Sequence, residues 1–230
     1  MTEATKSREH SDSQRSMRIL IVDDHPIVRD AVRHLVLTEF PDADVGLASN
    51  AGETWTHLHD STCDLILLDI GLPGTNGLEL LKSLKTESPA TPILILTGYA
   101  EEQYAVRAIR AGASGYLTKE AAREELTTAI RMLATGETYV SEGVKRELFR
   151  AVQSHASERP HQTLSDREFA VFCRLAAGRT VCEVATELSL SPKTVSTYRS
   201  RLFLKLDIHT NQDLVRYAIE HKLETGSPGL

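Results

Sequence analysis

Leu65-Ile66-Leu67-Leu68-Asp69-Ile70-Gly71-Leu72-Pro73-Gly74 is four aliphatic residues stopped by an aspartate and followed by a Gly/Pro turn segment. A run so short and so uniformly apolar suits a strand buried on both faces, as in a parallel sheet. The same pattern ends in Asp23-Asp24 after residues 18–22 and in Thr97 after 93–96, with weaker candidates at 44–48 and 115–118. Helical patterns lie between them. Pro26 opens one at the first-turn position, with Ile27, Val28, Ala31, Leu35 and Val36 expected on its inner face, and others run near 51–59, 77–86, 101–111 and 120–135. Five strands alternating with five helices predict a doubly wound five-stranded parallel sheet, with its ligand site at the carboxyl ends of the strands.

A further helix is expected at 143–153, and His155 to Thr163, polar and interrupted by Pro160, marks a linker. Beyond it the pattern is purely helical, at about 166–177, 180–187, 192–206 and 211–222, which predicts a second, smaller all-α domain. Charge divides along the same line. Residues 17–135 hold 17 acidic and 10 basic side chains, a balance of −7, whereas 160–225 hold 8 and 9, a balance of +1. Two halves so different suggest different partners. Aliphatic runs of at most five residues exclude a transmembrane helix, which needs about 20, and residues 1–16 lack the apolar stretch of a secretory signal and read as a disordered leader. The three cysteines, Cys63, Cys173 and Cys182, form no C-x-x-C pair and suit a reducing cytoplasm.

The acidic residues at the strand ends carry the chemistry. Neighbouring parallel strands bring their ends side by side, so Asp23, Asp24 and Asp69 are expected to converge, with Thr97 and Lys119 closing the fourth and fifth strands. Three like charges in one pocket drive a proton onto one of them unless a cation intervenes, and hard oxygen ligands favour Mg²⁺. A metal, a carboxylate nucleophile, a hydroxyl and an ammonium at one edge can transfer a phosphoryl group. Taken singly, an aspartate after a strand is ordinarily a turn or cap residue and Lys119 a solvated lysine. Their joint occurrence at four of five strand ends reverses that balance.

In the second half, Thr180–Leu188 reads as a short amphipathic helix with Val181, Val184, Ala185 and Leu188 inward, and Ser189-Leu190 as a tight connection. Ser191 and Pro192 then start a second helix sharply. Val195, Leu202 and Leu206, with Tyr198 or Arg199 between, form its core face, while Ser196, Thr197, Ser200, Arg201 and Leu204 remain outside. Across 192–206 there are four bases, Lys193, Arg199, Arg201 and Lys205, and no acid, which fits a phosphate-lined groove. An ordinary helical hairpin with a solvated charged face is the alternative that the pattern alone leaves open.

Val22-Asp23-Asp24-His25-Pro26, the Leu68–Gly74 segment, Leu96-Thr97-Gly98 and Gly115-Tyr116-Leu117-Thr118-Lys119 resemble the receiver domain of two-component response regulators, a flavodoxin-like fold. The resemblance implies that Asp69 is the phosphoacceptor, and that Asp24 and Asp69 coordinate Mg²⁺ with the Gly71 carbonyl while Asp23 acts mainly through water. It further implies that Thr97 and Lys119 contact the phosphoryl oxygens and that Tyr116 is the switch aromatic. The family commonly has a cis-bonded proline after its lysine, whereas Glu120 follows Lys119. A cis bond before a non-proline costs about 2.5–4 kcal/mol, so this loop need not keep the family's geometry. Gly71 also lacks a side chain, which should leave a phosphoryl group open to water.

Leu164-Ser165-Asp166-Arg167-Glu168, Glu183-Val184-Ala185 and Ser191–Tyr198 resemble the LuxR-type DNA-binding domain of the NarL/FixJ response regulators, closest to the BvgA- and GacA-like subgroup. By position, Ser196, Thr197 and Ser200 would face the groove, with phosphate contacts from Lys193, Arg199, Arg201 and Lys205. The organisation expected is a leader over 1–16, a receiver over 17–136, a helix and linker over 137–163 and a helix-turn-helix domain over 164–225. The function implied is a cytoplasmic transcription factor rather than an enzyme. It would be phosphorylated by a sensor histidine kinase, dimerise when phosphorylated, and bind double-stranded promoter DNA, RNA polymerase being a further possible partner and a membrane not. A haloacid-dehalogenase-type phosphatase also uses an aspartate and Mg²⁺, but needs a second acid two residues on, where Gly71 stands. A passive receiver attached to a DNA-binding domain is the third reading, and no missing receiver side chain supports it.

Overall fold

The computed structural model describes residues 16–72, 74–121, 123–153, 160–221 and 223; residues 1–15 of the expected leader and residues 154–159 of the expected linker lie outside them. Strands β1 (Arg18–Val22), β2 (Asp44–Ala48), β3 (Leu65–Leu68), β4 (Ile93–Thr97), β5 (Gly115–Thr118) and β6 (Tyr139–Val140) form one sheet in the order β2-β1-β3-β4-β5-β6, every pairing parallel. Helices α1 (Pro26–Glu39), α2 (Ala51–Asp60), α3 (Gly77–Glu87), α4 (Glu101–Arg110) and α5 (Arg123–Ala134) cross over between consecutive strands.

The period-two alternation of the strands divides the sheet between two apolar layers. Leu20, Val22, Ile66, Leu68, Ile93 and Ile95 face one core, with Leu81 and Leu84 of α3 and Ala105 and Ala108 of α4. Ile19, Ile21, Leu65, Leu67, Leu94 and Leu96 face the other, with Val32 and Val36 of α1 and Ile130 and Leu133 of α5. The strand order turns about between β1 and β3, where doubly wound sheets open a crevice at their carboxyl edge. Gly77 starts α3 directly against that edge. A Cβ there would overlap the Ile70 backbone, so α3 and the end of β3 approach as only glycine permits.

Three expectations need correction. The sheet has six strands rather than five, because Tyr139 N bonds back to Ser114 O and adds the two-residue β6 at the β5 edge. Helix α1 turns Val28, Val32, Leu35 and Val36 inward, leaving Ile27 85% exposed and Ala31 exposed. Helix α5 starts at Arg123 rather than 120, after a turn closed by Ala121 N to Thr118 O. The Lys119–Glu120 peptide is trans, and there is no cis bond among the described residues.

After α6 (Glu142–Gln153), a 3-10 turn at Pro160–Thr163 leads to α7 (Asp166–Ala176), α8 (Val181–Glu187), α9 (Pro192–Leu206) and α10 (Asn211–Glu220). Ser165 with Glu168, Thr180 with Glu183 and Thr210 with Asp213 form reciprocal capping boxes on α7, α8 and α10. On α9, Ser191 accepts from Thr194 N and Pro192 occupies the first turn. Ser189 takes a left-handed φ of 50° in the tight connection. Val184, Ala185, Leu188, Val195, Leu202 and Leu206 close on Phe169 and Phe172 of α7, so both short helices bury the faces expected of them.

The second domain packs on α3, α4 and the loop after β3. Arg107 of α4 donates to His161 O and Leu164 O, both at 2.8 Å, and its guanidinium lies 4.3 Å from the Phe169 ring centre. Lys82 reaches Asp166 at 2.6 Å, and Arg167 reaches Glu79 at 2.9 Å. Tyr104 stacks edge-on against Phe169, with its hydroxyl 3.8 Å from Cys173 Sγ. A Cβ on Gly74 would come within 3.2 Å of Ser189 Oγ.

Candidate functional site

Asp23, Asp69, Thr97 and Lys119 each stand where a strand ends. The β1, β3, β4 and β5 edges bring Asp23, Asp69, Thr97 and Lys119 into one hydrogen-bonded group. Asp69 is 3% exposed. Its Oδ1 accepts from Thr97 Oγ1 at 2.6 Å and from Gly71 N at 2.8 Å, and its Oδ2 from Lys119 Nζ at 2.6 Å. Lys119 Nζ also reaches Asp23 Oδ2 at 2.7 Å. Burial alone would lower the Lys119 pKa, but the Asp69 and Asp23 carboxylates outweigh it and hold the ammonium above its ordinary value. The Asp69 carboxylate therefore has a separate donor on each oxygen.

Asp24 completes the cluster. One ligand atom from each of Asp23, Asp24, His25 and Asp69 lies within 4.8 Å of the others. Burial raises the Asp24 pKa, and repulsion from Asp69 and Asp23 adds to it against the opposing effect of His25. Asp24 Oδ1 is shut off from solvent and receives no hydrogen bond, although His25 Nδ1 lies 3.0 Å away at an unfavourable angle. An unsatisfied carboxylate oxygen beside two more carboxylates is a donor set fit for a hard divalent cation.

Tyr116 is wholly buried and donates to Tyr99 O at 2.7 Å. Thr97 and Tyr116 are thus both already turned inward. Tyr99 in turn lies against Tyr104 at 4.5 Å and accepts from Arg174 NH2 of α7 at 3.3 Å, which joins the surroundings of Tyr116 to the second domain.

On α9 the side chains expected to face a groove are open to solvent: Ser196, Thr197, Ser200 and Arg201 are exposed, as are Lys193 and Leu204. The three hydroxyls bond back to carbonyls one turn earlier, at Pro192, Lys193 and Ser196. Two of the four bases are otherwise engaged. Arg199 is half-buried, its guanidinium 5.0 Å from the Phe203 ring centre and its Nε enclosed without a partner. Lys205 Nζ bonds Glu168 at 2.6 Å and Thr163 O at 3.3 Å, which makes it the counter-ion of a buried carboxylate. The free positive charge on this face is that of Lys193 and Arg201.

Several site residues escaped the sequence. His25 braces Asp23 through its backbone N–H at 2.8 Å, and Arg29 holds the Asp23 carbonyl. The position of Arg29 one turn into the helix that follows Asp23 is the only local signal for it. Arg107, Tyr99, Tyr104 and Arg174 carry none, because their partners across the domain interface lie more than fifty residues away.

Residues 19–131 match the response regulator receiver domain, and residues 162–218 match the luxR family of bacterial regulatory proteins. The chain is 33% identical over 208 residues to the response regulator UvrY of Escherichia coli, covering 90% of this chain and 95% of that one. To the response regulator GacA of Pseudomonas aeruginosa it is 33% identical over 207 residues, covering 89% and 96%. Among solved structures it resembles RcsB of Salmonella enterica serovar Typhimurium bound to promoter DNA with the phosphomimetic BeF3−, at a TM-score of 0.64 and 25% identity over 88% of this chain and 98% of that one. With its receiver, its LuxR-type helix-turn-helix and this kinship along nearly its whole length, the chain belongs to the NarL/FixJ family of DNA-binding response regulators, on the GacA-like side.

Proposed function

We propose that Asp69 accepts a phosphoryl group from a sensor histidine kinase, or from a small donor such as acetyl phosphate, and that this modification governs promoter binding through α9. The observation that carries the reading is the division of donors around Asp69, with Thr97 on one oxygen and Lys119 on the other. Both can move onto phosphoryl oxygens without leaving the pocket, and both stabilise charge that develops there. Mg²⁺ would be held by Asp23, Asp24, Asp69 and the Gly71 carbonyl, and would supply charge neutralisation for the transferred group. Lys119 donates to the Asp69 carboxylate and orients it as the attacking group. The protein catalyses no turnover beyond loading and clearing its own aspartate.

On this reading a receiver over 17–136 and a helix-turn-helix domain over 164–225, joined by 137–163, act together in the cytoplasm. Phosphorylation favours a homodimer that sets two α9 helices on neighbouring half-sites, where RNA polymerase can meet it. The recognition face is open while the domains are packed together, so control acts through the placing of α9 rather than through covering it. Ser196, Thr197 and Ser200 read bases, and Lys193 and Arg201, the free bases of this face, contact phosphates. Wild type and Asp69→Asn are incubated with acetyl phosphate and Mg²⁺ and weighed intact. An adduct of about 80 Da on wild type alone is expected, and equal yield on both removes Asp69 from the role.

A further inference from the structure

We infer that Leu204 is a specificity-determining residue of the DNA-binding surface, and that it takes the methyl group of a thymine in the major groove. The inference rests on the reading of α9 as the helix that enters the groove, and deepens it. Leu204 is 85% exposed in the last turn of α9, on a face otherwise made of hydroxyls and positive charge.

Its spacing puts it in the base-reading row. Leu204 follows Thr197 by seven residues, close to two full turns, so the two side chains stand nearly in line, with Ser200 and Arg201 between them. All four are exposed. Offsets of three, four and seven residues are those at which the third helix of a homeodomain presents its side chains to the major groove. The row covers about 10 Å of helix axis, or about three base pairs at about 3.4 Å each. No acid stands between Pro192 and Leu206 to repel the phosphates on either side.

Chemistry then selects the ligand. Serine and threonine hydroxyls both donate and accept, so Ser196, Thr197 and Ser200 can each meet the edge of any base. A leucine has no such latitude. The thymine methyl is the apolar group on a major-groove edge, and against a G·C pair leucine would shut polar edge atoms off from water without replacing their hydrogen bonds. Leu204 therefore favours thymine and also rejects guanine and cytosine at the same position. The other large apolar side chains described as exposed in this domain, Val215 and Ile219 of α10, line a separate recess with Leu175, Arg179 and Arg216. Leu204 is not part of that lining, so it does not extend an apolar patch shared with them.

The test removes the methyl group from the DNA and the leucine from the protein, singly and together. The full chain, with Mg²⁺ and beryllofluoride, selects its site from random DNA. Each thymine of that site is then replaced in turn by uracil, which lacks the methyl group and keeps every hydrogen-bonding atom. Wild type, Leu204→Ala and Leu204→Met are titrated on each duplex. At one thymine per half-site, uracil is expected to weaken wild type and Leu204→Met about fourfold, the worth of one buried methyl group, and to leave Leu204→Ala unchanged. Leu204→Ala should unfold at the wild-type Tm, since the side chain is open to solvent, and should select sites with any base at that position. Equal uracil penalties in wild type and Leu204→Ala at every thymine overturn the inference, as does a selected site in which no thymine is sensitive. A loss of affinity in Leu204→Ala that is the same on every duplex, together with a shift to monomer, assigns the leucine to a contact with a second copy and overturns it as well. Enrichment of no sequence by wild type is a different failure, that of α9 as the reading helix.

Discussion

Replacing Lys205 by methionine separates a structural role from a DNA contact. Its ammonium sits 2.6 Å from Glu168, whose side chain is 5% exposed and also accepts from Ser165 N at 2.8 Å. Removing one partner of a fully buried pair costs about 3–5 kcal/mol. The Lys205 side chain is 39% exposed, however, and solvent screening reduces the expectation to about 1–2 kcal/mol. For a domain of this size that is a fall in Tm of roughly 5–15 °C. Burial raises the Glu168 pKa, but the bonds from Lys205 and Ser165 outweigh it and set the carboxyl below 4.5. A group with a depressed folded pKa contributes stability above its unfolded value and loses it as pH falls through the folded one. The gap between wild type and Lys205→Met should therefore be full at pH 7 and shrink below about 4.5. Thermal and urea unfolding of the full chain at both pH values make the measurement, alongside non-specific DNA binding over a range of salt. An unchanged Tm at pH 7, with the salt slope reduced by about one, would mean that Lys205 holds a phosphate and that its bond to Glu168 has no structural weight.

Arg201→Ala, by contrast, should leave stability alone and lower the slope of log affinity against log salt by about 0.9; an unchanged slope removes it from the backbone contacts. Replacing Ser196, Thr197 and Ser200 together should alter the sites selected from random DNA by about 1–3 kcal/mol per strong contact, and an unchanged consensus would show that another face reads the bases. Tyr116→Phe loses the bond to Tyr99 O and should cost about 1 kcal/mol in urea unfolding. An unaltered midpoint would mean that the bond does not persist in solution.

What was legible in the sequence follows from how local its cause is. Four-residue aliphatic runs ended by Asp or Thr placed β1, β3 and β4 and most of the group around Asp69, because burial on both faces and a polar edge are encoded within each run, whereas Gly115-Tyr116-Leu117-Thr118 before Lys119 was a weaker candidate for β5. Helix starts were equally readable at Pro26 and at Ser191-Pro192, where proline or an oxygen-bearing cap meets the first turn, whereas the caps Ser165, Thr180 and Thr210 emerge from the structure. Strand β6 has two residues and no period, and only its pairing with Gly115 and Tyr116 makes it a strand. Ile27 belongs to the apolar pattern of α1 yet stands outside the core, since a helical stripe names a face but not the arc of it that the sheet covers. Lys205 counts as a base in any charge tally, but its partner lies thirty-seven residues away. The whole interface on α3 and α4 is hidden for the same reason, as Tyr104, Arg107 and Cys173 each look like ordinary members of their own helices.

Gly77 gives the loop 70–76 an unusual mechanical character. The loop leaves the end of β3 and returns to it almost at once, because α3 begins in contact with the Ile70 backbone. Both of its feet are planted on the same spot, so slack created at Asp69 cannot be absorbed by sliding α3 along the sheet. The helix is then left to tilt about that foot, like a mast on its step, and Glu79 and Lys82, about half a turn and one and a half turns up, carry the tilt to the second domain. Any side chain at position 77 would pry the step apart. The loss would then be felt as slackness between the two domains before it was felt as unfolding.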